Sequence, residues 1–410
     1  MPPIPAPSAL PKIKISPRGA TRLKAGHVWV YRSDIVSADG IQPGSLVSIS
    51  DHRGKPMGTA LYSSSSQIAI RMISRETASS DPVADFPELL KHRIADAIAY
   101  RKHVVHDTEA YRVIFSEADF LPGLIVDRYN DILSLQILTQ AMDAAPIRET
   151  ILSALTEHLA PASILERVDA RVRELESLPP RVSGLLQGEK TSTTFTMNKL
   201  QFRYDALEGQ KTGAFLDQRE NYAAAAHFAR GEALDVFCYQ GGFALHLAPR
   251  CTQITGVDSS RPALEVADQN AALNQSRLKG ASNKKEIEWI EANAFDLLKD
   301  YATSNHRYDT IVLDPPAFAK SKRDLDAALR GYKELNLRAL KMLRPGGILV
   351  TCSCSYHVRE SDFLEMLASA ALDSHRTLRL IEVRAQAKDH PILLNVPETA
   401  YLKCVIASVT

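Results

Sequence analysis

From about residue 205 onward, strand-like runs alternate with helix-like runs, and this alternation constrains the fold more than any other feature of the chain. Ala233–Phe237, Gln253–Asp258, Glu288–Glu291, Asp309–Leu313 and Ile348–Thr351 read as strands. Each precedes a helical stretch: Gly242–Ala248, Ala263–Asn274, Phe295–Asp300, Asp324–Leu343 and Ser361–Ala371. Repeated βα units with short turns predict a doubly wound, mostly parallel sheet, a Rossmann-like α/β fold. Ligands on such sheets bind beyond the carboxyl ends of the strands, so candidate chemistry is sought there.

The chain before this region has two other textures. Residues 12–76 read as short strands (Lys12–Ile15, Val28–Tyr31, Ser45–Ile49, Thr59–Tyr62, Ile68–Ile73) separated by turn residues, which predicts a small β-barrel. Lys12, Lys14, Arg18, Arg22, Lys24 and His27 cluster there beside Trp29 and Tyr31. That cluster is either an ordinary solvated face or a surface for an RNA backbone with aromatics available for stacking. Residues 80–200 read as α+β: a helix Asp85–His103, strands Arg112–Glu117, Gly123–Tyr129 and Ile132–Leu138, a helix Ala145–His158 and a strand Ser163–Asp169. The polar, proline-containing stretch Arg173–Gly188 reads as a loop or linker. Three domains are therefore expected, over 12–76, 80–200 and 205–410.

Composition adds mainly exclusions. A formal charge of +1 leaves any nucleic-acid surface to local patches, and five cysteines form no disulfide framework. The proline-rich start has no signal-peptide core, and no run approaches about 18 apolar residues. A cytoplasmic protein without a membrane span is expected. Cys352-Ser353-Cys354 lacks neighbouring ligands for zinc, so no metal is expected.

Two strand ends suit a nucleoside-containing cofactor. The first runs Leu234-Asp235-Val236-Phe237-Cys238-Tyr239-Gln240-Gly241-Gly242-Phe243, where paired glycines let a ligand approach the backbone. The second ends in Val257-Asp258, where a carboxylate can accept both hydrogen bonds of a ribose diol. A dinucleotide site would carry a third glycine to hold pyrophosphate, and here it is missing. S-adenosylmethionine has no phosphate and fits the shorter loop, so a methyltransferase is favoured over a dehydrogenase. After the third strand, Asn293, Ala294 or Asp296 is a candidate for the adenine, with helix capping an equal alternative.

The remaining strand ends suggest the reaction. Asp314-Pro315-Pro316-Ala317-Phe318 is a stiff extended segment in which Asp314 can hydrogen-bond a base and Phe318 can stack on one. Thr351-Cys352-Ser353-Cys354-Ser355 carries two cysteines, of which one is expected to face the core and the other the substrate. Carbon 5 of a pyrimidine is too weak a nucleophile to take a methyl group unaided. Thiolate addition at carbon 6 activates it, so a cysteine at this edge has a use.

With these residues in view, most of the chain resembles the RlmI-like family of bacterial 23S ribosomal RNA 5-methylcytosine methyltransferases. The resemblance is carried by Gly26-His27-Val28-Trp29-Val30-Tyr31-Arg32-Ser33-Asp34, Leu121–Tyr129, Gln210–Arg219, Asp235–Phe243, Asp314–Phe318 and Thr351–Ser355. It implies an N-terminal PUA-like RNA-binding barrel in which Lys24 and Arg32 contact substrate, an α+β middle domain and a class I methyltransferase domain. It further implies that Thr212, Phe215, Asp217 and Gln218 lie over S-adenosylmethionine. Asp235, Phe237, Gly241, Gly242, Asp258 and Asp314 would line the cofactor, and Pro315, Pro316 and Phe318 the base. Cys354 is the implied nucleophile, with Asp314 or a water as a candidate for removing the carbon-5 proton. The implied partner is large-subunit ribosomal RNA, and the barrel is equally a candidate for homodimerisation. Methylation of uridine carbon 5 or of guanine, and a non-catalytic RNA-binding or assembly role, are the alternatives.

Overall fold

The computed structural model describes residues 10–76, 82–206, 214–278, 287–319 and 321–410. The chain divides into two compact units. One takes the chain up to His106 together with Tyr111–Thr193 and Asp389–Thr399; the other takes Asp107–Ala110, Thr194–Lys388 and Ala400–Thr410. The first two expected regions thus fall in one unit, and Asp389–Thr399 joins them although it lies far along the chain.

In the first unit, the N-terminal strands form a six-stranded sheet in the order Trp29–Tyr31, Ile68–Ser74, Pro56–Tyr62, Leu46–Ser50, Lys12–Ile15, Ile35–Ser37. Strict alternation places Ile13, Ile15, Val47 and Ile49 in the core while Lys12 and Lys14 face solvent. A helix, Pro17–Lys24, appears where the sequence reading saw only a basic cluster. Ser16 caps it by accepting from Gly19 N, proline occupies its first turn, and Ala20 and Leu23 are buried. This helix commits two of the cluster's arginines: Arg18 and Arg22 both pair with buried Asp34, at 2.7 and 3.2 Å.

A five-stranded sheet follows, in the order Gly184–Gln187, Ser163–Glu166, Ile132–Ile137, Leu124–Tyr129, Ala110–Phe115. Helices Pro82–Val104 and Ala145–Leu159 cover it, contributing Leu90, Ile94, Ile151 and Leu155 to one core. The stretch expected to be a loop is partly regular. Asp169 caps a short helix, Ala170–Leu175, and Gly184–Gln187 pairs antiparallel with Ser163–Glu166. Because Leu185, Leu186 and Gln187 are exposed at the sheet edge, the segment lacks the buried face that marks a strand in sequence. Asp389 ties the late segment into this unit: its carboxylate accepts from Arg112 N at 2.8 Å, and its carbonyl accepts from buried Arg101 at 2.7 Å.

The second unit contains the alternating region. Its seven-stranded sheet runs Ile287–Glu291, Cys251–Asp258, Gly231–Val236, Tyr308–Leu313, Leu343–Ser353, Lys403–Val409, Leu378–Arg384, which is 3-2-1-4-5-7-6 in chain order. The first five strands are parallel, as expected; the last two add an antiparallel edge. The order reverses between Gly231–Val236 and Tyr308–Leu313, which opens a crevice at their carboxyl ends. A hairpin, Ser192–Met197 with Leu200–Asp205, precedes the sheet. Asn270 and Asn274 on the helix Arg261–Leu273 and the residue after it accept from Arg203 N and Gln201 N, each at 2.8 Å, and so hold its second strand. Among the described residues no helix is long and apolar enough to cross a membrane.

Candidate active site

The loop after the first parallel strand has a strained backbone. Phe237, Tyr239 and Gly241 take φ of 66°, 49° and 82°, so two non-glycine residues sit in the left-handed region. Such residues persist only where the surroundings fix them, and they concentrate at functional sites. The fixing groups are carboxylates. Asp258 accepts from Tyr239 N and Ser260 N at 2.9 Å each, and Asp235 accepts from Ala244 N at 2.8 Å. Gly242 is needed for room: a Cβ there would lie 2.6 Å from the ring of Tyr222, itself packed against Phe243 and His246.

A cavity of about 1130 Å³ opens over this loop. Phe215, Asp217, Gln218, Phe237, Asp258, Asp314, Pro315, Pro316 and Cys354, all expected at the site, line it together. Gln218 Nε2 donates to Asp314 at 2.9 Å, so the cofactor-side segment and the Asp-Pro-Pro segment meet directly. Phe215 and Tyr239 stand edge to face, 5.1 Å apart. Unanticipated lining residues include Arg203, Asp205, Glu265, Gln269 and Tyr401. Tyr401 donates to Asp217 at 2.6 Å from almost the end of the chain, a contact that only the antiparallel edge creates.

Several expected residues do other work. Asp235 is fully buried beneath the loop and is absent from the lining, so it shapes the glycine turn rather than touching a ligand there. Gly241 and Gly242 lie outside the main lining as well. Asn293 caps the helix Ala294–Thr303, its side chain accepting from Phe295 N and Asp296 N, and neither it nor Ala294 nor Asp296 lines the cavity. Phe318 packs on Tyr332 at 4.7 Å and on Phe295 at 6.0 Å instead of facing the cavity. Arg32 spends its guanidinium on the carbonyls of Ser63 and Ser66, at 3.0 and 2.8 Å, whereas Lys24 is exposed with its ammonium 4.0 Å from Asp51. Thr212 lies outside the described residues.

The two cysteines do separate, although not by strand alternation, which would put residues two apart on the same face. The strand ends at Ser353, so Cys352 stays in the core opposite Cys404 while Cys354 turns into the cavity. Cys354 Sγ lies 3.9 Å from the Pro315 carbonyl, and it is the partly exposed one among five cysteines whose other members are buried. Ser355 secures the turn: its hydroxyl accepts from Ala319 N at 3.1 Å and meets the Tyr332 hydroxyl at 2.9 Å.

Electrostatically the cavity is acidic. Asp205, Asp217, Asp258, Glu265 and Asp314 face Arg203, the one basic residue of the described lining. Burial, then the charges of Asp217 and Asp235, raise the Asp314 carboxyl to about 8. Burial, then Asp314 and Asp217, push the Cys354 thiol up to about 12. A dinucleotide pyrophosphate would be repelled here, whereas a sulfonium would be attracted. The residues present therefore fit S-adenosylmethionine: an acidic wall and an Asp258 that can take a ribose diol, lining the cavity over the glycine turn. Among the described residues no cluster of metal-ligating side chains occurs.

Comparison with known proteins agrees with the cofactor. Residues 13–75 match a PUA-like domain, and residues 124–406 match an S-adenosylmethionine-dependent methyltransferase family. A ribosomal RNA large subunit methyltransferase I from Shewanella denitrificans is 37% identical over 408 residues, covering 97% of this chain and 99% of that one. Its counterpart from Photobacterium profundum is 36% identical over 389 residues, covering 93% and 95%. In fold, a methyltransferase structure complexed with SAH superposes with a TM-score of 0.81 at 20% identity, over 97% of this chain and 100% of that one. A SAM-dependent methyltransferase from Streptococcus mutans gives 0.79 at 18% identity, with the same coverage. The chain therefore belongs to the same family as the bacterial ribosomal RNA large subunit methyltransferases I, and it carries a PUA-like domain ahead of an S-adenosylmethionine-dependent methyltransferase fold.

Proposed function

We propose that the protein methylates carbon 5 of a cytosine in large-subunit ribosomal RNA, with Cys354 as the covalent nucleophile. The names of its relatives supply the substrate class. The observation that carries the chemistry is the position of Cys354, partly exposed in the same cavity as Asp258 and Asp314. A methyltransferase acting on an exocyclic or purine nitrogen has no use for a thiol there.

Bound S-adenosylmethionine supplies an electrophilic methyl group. The chain's own residues prepare the base. The Cys354 thiolate adds to carbon 6, forming a C–S bond and placing an electron pair at carbon 5, which takes the methyl group. Loss of the carbon-5 proton then returns the electron pair and expels the thiolate. Asp314 contributes as an acid. A carboxyl raised to about 8 holds its proton at neutral pH, so it can donate to ring nitrogen 3 and draw charge away from carbon 6. Its other oxygen accepts from Gln218 Nε2 and keeps the group oriented. Pro315 and Pro316 stiffen the wall on which the base rests. Exposed Lys12, Lys14 and Lys24 in the N-terminal unit are the backbone-contacting candidates, since Arg18, Arg22 and Arg32 are engaged internally.

The test incubates unmodified ribosomal RNA with methyl-labelled S-adenosylmethionine and identifies the labelled nucleoside by mass spectrometry, wild type beside Cys354→Ala. Label in 5-methylcytidine that vanishes in the variant is the expected result. Label in 5-methyluridine would overturn the base assignment. Label in a guanosine that survives the substitution would overturn the cysteine mechanism.

A further inference from the structure

The strand Lys403–Val409 begins beside the nucleophile: in its antiparallel register Lys403 faces Ser353, one residue before Cys354. The Lys403 side chain is buried, with the residue 7% exposed. Its ammonium donates to the Ser355 carbonyl at 2.7 Å and to the Tyr401 carbonyl at 2.8 Å. Among the described residues it forms no ion pair. A buried cation whose hydrogen bonds go only to neutral carbonyls is costly, because carbonyl dipoles replace water incompletely and no carboxylate pairs with it directly. Packing does not call for a charge at this position, since the rest of the strand, Cys404 to Val409, is almost wholly apolar. The carbonyls it grips belong to the residue after the nucleophile and to the tyrosine that holds Asp217.

We infer that Lys403 is a positioning residue whose ammonium is the fixed positive charge against which the Cys354 thiolate forms. The inference rests on the reading of Cys354 as nucleophile and supplies what that reading lacks. Asp314 and Asp217 face the thiol and oppose its ionisation, and Tyr332 reaches it through Ser355. From the helix Glu360–Asp373, Glu360 and Asp362 act on Lys403 at longer range. Lys403 is the basic group in this set. Burial lowers it to about 8, which leaves it mostly protonated at neutral pH, and a thiolate beside it would hold the proton more firmly. In the ionisation the S–H bond breaks, the sulfur keeps the electron pair, and the proton leaves to water in the cavity. The ammonium keeps all three of its protons.

Ionisation is measurable without RNA. Carbamidomethylation of the full-length protein by iodoacetamide is followed from pH 6.5 to 7.5, where Lys403 is mostly protonated and the rate is proportional to the small thiolate fraction, with peptide mass spectrometry locating the product at Cys354; the other four cysteines are buried. Wild type is compared with Lys403→Met, Lys403→Gln and Lys403→Arg, with binding of S-adenosylhomocysteine by calorimetry as the check of folding. In the Met and Gln variants the Cys354 rate at pH 7 should fall roughly tenfold or more, a tenfold loss of thiolate fraction being one pKa unit. The Arg variant should keep the wild-type rate, because it keeps the charge. Gln retains an amide donor for the carbonyls, so it carries the test if the Met variant does not fold. An unchanged rate in the Gln variant, or an equal loss in Gln and Arg, would overturn the inference. Methyl transfer surviving in Cys354→Ala would instead overturn the nucleophile and leave the alkylation result standing.

Discussion

Asp235 should make the catalytic unit less stable as the pH rises, and its replacement by Asn should remove that dependence. The carboxyl is fully buried, Oδ2 accepts from Ala244 N at 2.8 Å, and Oδ1 has no hydrogen-bond partner among the described residues. Burial raises it to about 7 from an ordinary 3.8; the bond from Ala244 N works against this and the Asp258 charge adds to it. Between those two pH values the folded state holds a proton that the unfolded state has released. Stability contributed by this group is therefore intact below pH 3.8 and is lost as the pH climbs towards 7. At about 1.4 kcal/mol per pH unit the loss reaches about 4 kcal/mol, an upper bound for a site that can relax. The Asn variant can keep the Ala244 bond but leaves an amide without an acceptor, a penalty that does not vary with pH. The difference in unfolding free energy between variant and wild type should thus move in the variant's favour by up to about 4 kcal/mol from pH 4 to pH 7, then level off. Of the chain's two tryptophans, Trp289 packs beneath Gly241 and Gly256, so in a Trp29→Phe background its fluorescence in guanidinium chloride reports the catalytic unit. A difference that stays constant from pH 4 to 8 would refute the reasoning.

Gly242→Ala drives a methyl group into the Tyr222 ring, so about 1–3 kcal/mol of stability should be lost. Calorimetry should show S-adenosylhomocysteine bound roughly tenfold more weakly, and unchanged affinity would show that the turn yields. Arg101→Met removes a buried guanidinium that pairs with Asp119 and donates to the carbonyls of Arg112 and Asp389. Denaturation of the first unit, followed through Trp29 in a Trp289→Phe background, should show a loss of about 3–5 kcal/mol, because Asp119 is left without its partner. Asp314→Asn keeps an amide donor but no transferable proton; kcat should fall roughly a hundredfold or more, with little change in S-adenosylhomocysteine affinity. Equal losses in both would make Asp314 a cofactor ligand rather than an acid.

The parallel sheet was legible because its central strands are apolar runs closed by turn signals, and the same signals marked the strand ends that line the cavity. The antiparallel edge was not. Leu378–Arg384 exposes Arg379, Leu380 and Ile381, and Lys403 opens the last strand with a charge, so neither segment follows a clean period of two. With that edge went Tyr401 and Lys403, whose relation to Asp217 and Cys354 is made by topology across nearly the whole catalytic unit. The hairpin before the sheet was missed even though Asn198-Lys199, both at positive φ, sits between alternating runs as a two-residue turn. Asn293 shows a limit of another kind. Ligand binding and helix capping ask for the same residue at the same spacing, and here the free N–H groups of the helix take it.

The acidity of the cavity links cofactor choice to the order of events. Asp217 favours a sulfonium, and its charge adds to burial in opposing ionisation of the Cys354 thiol, so the cavity attracts its cofactor and restrains its nucleophile through one carboxylate, with Asp314 joining it only when it has given up its proton. The conflict disappears once a cation occupies the cavity, because its charge offsets the carboxylates that oppose the thiolate. Cofactor binding then favours thiol ionisation, and Cys354 is least reactive before a methyl group is at hand. Transfer turns the sulfonium into a neutral thioether, for which the carboxylates hold no comparable attraction. The arrangement therefore favours the reactive cofactor over its product on electrostatic grounds, and it leaves Lys403 as the charge that persists on the cysteine's side throughout.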